Sequence, residues 1–374
     1  MKFSILQQDL LPALQAAARS AGARTSLPVL ENILLSLEGE NLKIAATNLE
    51  IGVMKFIAVK KTSPGELTIP AKLLLEVVAG LGPVEVELES NNEILTVASG
   101  RFKATLNGIA AAEFPAIPLG DGKGINLPKE VLLGCGQILF AAAVDEGRPV
   151  LTGVLTEIKE EKIDFVATDG FRLAHRQVKL ALSDGERSRT RAEGFKSLIP
   201  RRTFEELLRV IGEDEAETVS ISPSQNQNQI VFSVGKTVVS SRLIEGSFPA
   251  WEKIIPGQIV TRALVDKEEL VRALKLAAVF GRNEANIVVL SSGENKLTLA
   301  SSVKEIGSQE NEVEAQIEGD SLQVAFNTRF LQDAVSASPA SQLMIEFSGV
   351  LQPALIKPMG EEGLEYIVMP VRLS

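Results

Sequence analysis

Apolar positions along this chain follow two periods, and the switches between them mark out its elements. Residues 84–88, 218–221, 230–234 and 342–347 place apolar side chains at every second position, the spacing of half-buried strands. Leu74, Val77, Val78 and Leu81 keep helical spacing instead, as do Phe204, Leu207, Leu208 and Ile211. The two helices begin in similar text, TIPAKLLLEVVAGL from Thr68 and LIPRRTFEELLRVIG from Leu198, and AFNTRFLQDAVSA from Ala325 is a third version. Pro70 and Pro200 fall at or near a first turn, where a missing amide hydrogen costs nothing, and Asn327 is a good N-cap. A further helix opens each unit, over residues 9–21, 129–143 and 266–280.

This recurrence is an internal repeat. Residues 27–48 read LPVLENILLSLEGENLKIAATN, and residues 148–169, displaced by 121 positions without a gap, read RPVLTGVLTEIKEEKIDFVATD. A weaker copy, NIVVLSSGENKLTLASS, spans residues 286–302. Phe114-Pro115-Ala116-Ile117 and Phe248-Pro249-Ala250-Trp251 close the first two units, and the glycine-rich stretch 120–124 reads as a linker. The expected organisation is α+β, with three repeated domains over residues 1–122, 123–256 and 257–374, each holding two helices and antiparallel strands.

The 374 residues are 45% hydrophobic, ordinary for a folded chain, and no stretch approaches a membrane span, so a cytoplasmic protein is expected. One cysteine excludes an internal disulfide, and one histidine excludes His-rich metal sites. Gly235-Lys236-Thr237 is not a phosphate loop, because residue 230 is isoleucine where the motif needs glycine; it reads as a hairpin turn. Cys135 reads as a buried, inert thiol, His175 as a structural or surface residue, and residues 157–161 as a solvated hairpin. No catalytic, metal or cofactor site is expected.

The net charge of −10 argues against nucleic acid as a partner only if the charge is evenly spread. It is not. The predicted helices carry slightly more Lys and Arg than Asp and Glu, leaving the remainder strongly acidic. With Glu130, Glu268 and Glu269 in first turns against the helix dipoles, Arg201, Arg202, Arg209, Arg272 and Lys275 are expected to be freer to face a partner.

Met1-Lys2-Phe3, Leu27-Pro28-Val29-Leu30, Ala167-Thr168-Asp169-Gly170 with Arg172-Leu173, Glu245-Gly246 before Phe248-Pro249, and the terminal Val368-Met369-Pro370-Val371-Arg372-Leu373 occur in one order. In this the whole chain resembles the bacterial DNA polymerase III beta subunit, the sliding-clamp family. The resemblance implies a processivity factor without catalysis or cofactor. Two copies would join head to tail as a homodimeric ring around double-stranded DNA, helices inside and sheets outside. The ring would tether the clamp loader, the replicative polymerase and repair proteins through short linear peptides.

By family position the DNA-facing residues are Arg24, Lys72, Arg148, Arg201 and Arg202. The peptide pocket is expected from Leu151, Thr168, Gly170, Phe171, Arg172, Leu173, Pro249, Lys253, Ile254, Val368, Met369, Pro370, Val371 and Arg372, with Met369 and Leu173 as opposite walls. Phe171 stands where the family commonly has histidine and Lys253 where arginine is known, changes that bear on peptide preference. The subunit contact is expected between Arg101, Lys103 and Leu106 on one side and Val279 and Phe280 on the other, with Arg101 and Lys103 against Glu310, Glu312 and Glu314. Two readings from other classes compete: an enzyme using Asp169 and Arg172 at an interdomain cleft, and a peptide-binding scaffold with no DNA role.

Overall fold

The computed structural model describes residues 1–22, 27–120, 124–145, 147–159, 161–181, 195–224, 228–281, 286–303 and 307–372. Among the described residues a similar order of elements occurs three times, with one extra strand, β5, in the first repeat. The first repeat runs β1 (Lys2–Leu6), α1 (Gln7–Ala18), β2 (Asn32–Glu38), β3 (Asn41–Thr47), β4 (Ile51–Ala58), β5 (Lys60–Ser63), β6 (Gly65–Pro70), α2 (Ala71–Gly80), β7 (Glu85–Asn91), β8 (Ile94–Ser99) and β9 (Phe102–Asn107). The second runs β10 (Ile125–Pro128), α3 (Lys129–Cys135), β11 (Gly153–Lys159), β12 (Lys162–Thr168), β13 (Arg172–Lys179), β14 (Phe195–Pro200), α4 (Arg201–Glu213), β15 (Thr218–Pro223), β16 (Gln229–Val234) and β17 (Thr237–Arg242). The third runs β18 (Thr261–Asp266), α5 (Lys267–Gly281), β19 (Ile287–Gly293), β20 (Lys296–Val303), β21 (Gly307–Gly319), β22 (Gln323–Asn327), α6 (Thr328–Ala337), β23 (Gln342–Phe347), β24 (Ala354–Pro358) and β25 (Leu364–Val368).

Local chemistry explains the boundaries. Pro70 and Pro200 each end a strand immediately before a helix, so their missing amide hydrogen interrupts no ladder or helix bond. The Asn327 side chain accepts from the amides of Arg329 and Phe330 and caps α6 as its sequence predicts. Gly235 closes the β16–β17 hairpin at φ +54°, in the left-handed region that glycine enters without cost. The helix predicted over 129–143 is shorter. It stops at Cys135, and the chain turns into a short 3-10 segment, Leu139–Ala141, because Gly134 and Gly136 remove helix propensity from its middle.

Two compact units result, Met1–Lys129 with Glu206–Leu243, and Glu130–Glu205 with Ile244–Ser374. Neither coincides with a repeat, because sheets run on from one repeat into the next. In the first unit β4 pairs with β17, joining strands of the first two repeats in one eight-stranded sheet, β10-β15-β16-β17-β4-β3-β2-β6. A five-stranded sheet, β5-β1-β7-β8-β9, lies in the same unit. Leu10, Leu14, Leu42, Leu74 and Val97 are fully buried in its main core, where truncating a leucine typically costs about 2–5 kcal/mol. Arg19 adds a polar tie, reaching Glu206 at 2.8 Å and both carboxylate oxygens of Glu213 at 3.0 and 3.1 Å. In the second unit β13 pairs with β25, and a twelve-stranded sheet runs β14-β11-β12-β13-β25-β24-β23-β18-β21-β20-β19-β22.

Candidate functional site

The most elaborate constellation grows from the turn between β12 and β13. Thr168 Oγ1 donates to the Arg172 carbonyl at 2.6 Å and accepts from the Gly170 amide at 3.0 Å. Asp169 Oδ1 accepts from the amides of Phe171 and Arg172 at 2.9 and 3.0 Å. These bonds hold the backbone in a tight loop whose third residue, Gly170, has φ +92°. The first repeat builds the same loop from Thr47 and Asn48, with Leu49 at φ +73° in the glycine's place. The loop is therefore inherited from the repeat, and what is particular to the second copy is the side chain that leaves it.

That side chain is Arg172. Its Nε meets Asp169 Oδ2 at 3.0 Å and its Nη1 pairs with Asp333 on α6. The guanidinium lies 4.7 Å from the Phe330 ring centre and 5.2 Å from that of Phe140, so the paired cation lies over two aromatic faces. Phe171 stacks on Phe330 at 6.0 Å and stays 60% exposed. Its carbonyl accepts from the Met369 amide at 2.9 Å, so the segment after β25 continues alongside the loop. Pro370 then bridges to Phe326, and the Val371 amide reaches the Ala325 carbonyl at 2.8 Å.

Beside this polar node lies an apolar cluster. Leu155, Val166, Leu173, Leu198, Trp251, Leu355 and Ile367 are buried there, with Val150, Ile244, Phe248, Ile254 and Ile255 half-buried at its surface. Trp251 packs on His175 at 4.4 Å between ring centres. His175 is buried, with Nε2 2.8 Å from Asp164 and Nδ1 2.9 Å from Glu365, so it links β12, β13 and β25. Burial works against its charge, but the two carboxylates outweigh that and raise its pKa above 6.5. The expected structural histidine is thus placed, and Cys135 is fully buried with its thiol pKa pushed up by desolvation.

Of the expected pocket residues, Leu151, Thr168, Leu173 and Val368 are buried, Arg172, Ile254, Pro370 and Val371 are half-buried, and Gly170, Phe171, Pro249, Lys253, Met369 and Arg372 are exposed. Leu173 and Met369 are not opposite walls. Leu173 is buried opposite Ile367 in the β13–β25 ladder, whereas Met369 follows the end of β25 and is 37% exposed, so one belongs to the floor and the other to the border. Phe140, Phe330 and Asp333 escape sequence reasoning, since nothing near residue 172 in the chain points to them.

The expected DNA-facing and interface positions fare differently. Arg24 lies outside the described residues. Lys72, Arg148 and Arg202 are exposed, whereas Arg201 is tied to Glu205 at 2.7 Å. The expectation of free helix cations fails for Arg201, Arg209 and Arg272, because Glu205, Glu206 and Glu268 stand three or four residues away on the same helix. It holds in exposure for Arg202 and Lys275. Arg101, Phe102 and Lys103 are exposed on β9 or its preceding turn, which forms the edge of the five-stranded sheet, but Leu106 turns inward to the core at 5% exposure. On α5, Val279 is exposed and Phe280 half-buried, and Leu276, unnoticed in the sequence, is as exposed as Val279.

Comparison with known proteins matches this chain to three family models: DNA polymerase III beta subunit N-terminal domain at residues 1–118, central domain at 127–250, and C-terminal domain at 252–372. The beta sliding clamp of Synechocystis sp. is 32% identical over 392 residues and that of Bacillus subtilis 28% over 386, each covering both chains in full. Solved structures of the DNA polymerase sliding clamp from Bacillus subtilis and of the beta subunit from Thermotoga maritima superpose with TM-scores of 0.92 and 0.90 at 26% identity, over the whole of each chain. The sliding clamp of Pseudomonas aeruginosa, 27% identical with TM-score 0.92 over both full chains, has been solved bound to griselimycin.

Proposed function

Because the chain belongs to the DNA polymerase III beta subunit family, the sliding clamps, we propose that two copies of it close into a ring around duplex DNA and tether replication proteins by short linear peptides. The family is an accessory processivity factor, so the chain acts by holding on rather than by chemistry. Its domains in this reading are residues 1–122, 123–256 and 257–374.

The pairing of repeats supports ring closure. Strand β4 of the first repeat pairs with β17, the last strand of the second, and β13 of the second pairs with β25, the last strand of the third. The third member of this series is β21 with β9, the last strand of the first repeat. Among the described residues strand β9 ends its sheet, and residues 307–314 of β21 have a ladder on one side only, to β20. A second copy supplies the missing partner, and two such heterologous contacts complete the rotation. Arg101 and Lys103 then meet Glu310, Glu312 and Glu314, so charge favours the pairing and two adhesive edges are hidden.

The peptide site is the apolar cluster around Trp251 with the Arg172 node at its border. Apolar anchors enter between Leu173, Ile254 and Met369, whose flexible thioether suits several partners. DNA contact falls to a diffuse set, Lys72, Arg148, Arg201 and Arg202, because a ring that slides needs phosphate attraction without deep wells. Primer extension on a singly primed circle tests the reading. With cognate polymerase, clamp loader and ATP, the chain should lengthen products of single binding events, and unchanged lengths would count against it.

A further inference from the structure

The first unit holds a groove of its own at the repeat-equivalent place. It has a volume of about 790 Å³, within the range of small-ligand and peptide sites, and opens over the β4–β17 junction. Its floor is Leu34, Ala45 and Met54, and Phe114 and Ile117 of the segment leaving β9 form a wall. A shift of 121 positions turns Leu34 and Ala45 into Leu155 and Val166, which are floor residues at the β13–β25 junction. Phe114 and Ile117 correspond by motif, not by that shift, to Phe248 and Trp251, the first and last residues of Phe-Pro-Ala-Ile and Phe-Pro-Ala-Trp.

The two grooves differ in ways that set what each accepts. Gly52 stands where Leu173 stands, and its missing side chain leaves room for Ile117, whose Cγ2 would be 2.8 Å from an added Cβ. Among the described residues no arginine borders the first groove. Lys43 and Lys236 flank it instead, and among the described residues neither has an ion-pair partner. Among the described residues Glu38 is the one carboxylate in the lining. The rim is therefore net positive around an apolar floor.

We propose that this groove is a second peptide-docking site, taking an extended segment whose apolar side chains fill the space over Met54 and Phe56 and whose acidic residues meet Lys43 and Lys236. The inference rests on the reading of the β13–β25 junction as a peptide site. Each copy of the chain would thus offer two docking points of related shape, and a partner with an acidic, apolar tail could hold the first while another occupies the second.

The five methionines make the test direct, since Met54 lines the first groove and Met369 borders the second. The full-length protein, labelled with ¹³C at the methionine methyls, is titrated with an acetylated hexapeptide of alternating leucine and aspartate ending in phenylalanine. A saturable shift of the Met54 methyl is expected. The Lys43→Glu, Lys236→Glu double variant should weaken it at least tenfold without changing the response of Met369, and a lysine-for-aspartate peptide should lose it as well. A Met54 methyl unmoved at millimolar peptide overturns the proposal, whether or not Met369 responds. So does a Met54 shift that follows protein concentration alone, which would make a second copy of the chain the occupant. A silent Met369 methyl with a responding Met54 would instead count against the β13–β25 site.

Discussion

His175 shows how one residue ties two repeats together. It stands on β13, bonds Asp164 within its own repeat and Glu365 on the last strand of the next. Its raised pKa fixes the sign of a pH effect. The stabilisation is complete below about pH 6.5, the unfolded value, and is lost as pH rises through the higher folded value. The melting temperature should accordingly fall across that window, and His175→Gln should flatten the fall; parallel profiles for the two proteins would show that the cluster carries no linkage. At the site's exposed border, Met369→Ala should weaken peptide binding by about 2 kcal/mol, roughly thirtyfold, with melting unchanged. Leu173→Ala is the poorer probe, since at 2% exposure its loss falls on the fold itself. The residues legible in the sequence included those of the loop that closes the repeated 148–169 text, Thr168 and Asp169 among them. Asp333 and Phe330 were hidden because their link to Arg172 is made by folding across more than a repeat.

At the scale of elements, strands and helices could be read from period and capping, as with the strand over Gln342–Phe347 and the Asn327 cap. Charge could not, because composition counts cations but not the partners that helical spacing hands them. The contrast between Arg202 and Arg201 turns this into an expectation for α4. Arg202→Glu should lower DNA affinity and flatten its salt dependence by about one phosphate contact, with no change in melting. Arg201→Glu should also break the pair with Glu205, adding about 0.3–0.5 kcal/mol of helix destabilisation that a denaturant titration can read. Equal melting for both variants would show the Glu205 pair to be inert. On α5, Val279→Arg places a charge on the surface assigned to the subunit contact. Folded monomers that still bind peptide are expected by sedimentation, and an undisturbed dimer would move the contact elsewhere.

For the whole molecule, the repeat decides more than any single site. Three copies of one unit, joined each time by the last strand of one to the fourth-position strand of another, leave one unused pair among the described residues, which is the pair the proposed second copy would complete. A chain of net charge −10 gains little from bulk attraction to DNA, so its hold must come from enclosure, with a few cations smoothing the path. Enclosure has a signature that affinity lacks. The protein is loaded by its clamp loader and ATP onto a nicked circular duplex, washed in salt high enough to screen phosphate contacts, and the circle is then cut at one site. Retention on the circle and release after cutting is the predicted result. Release from the intact circle in salt, or retention on the linear product with free ends, would contradict it.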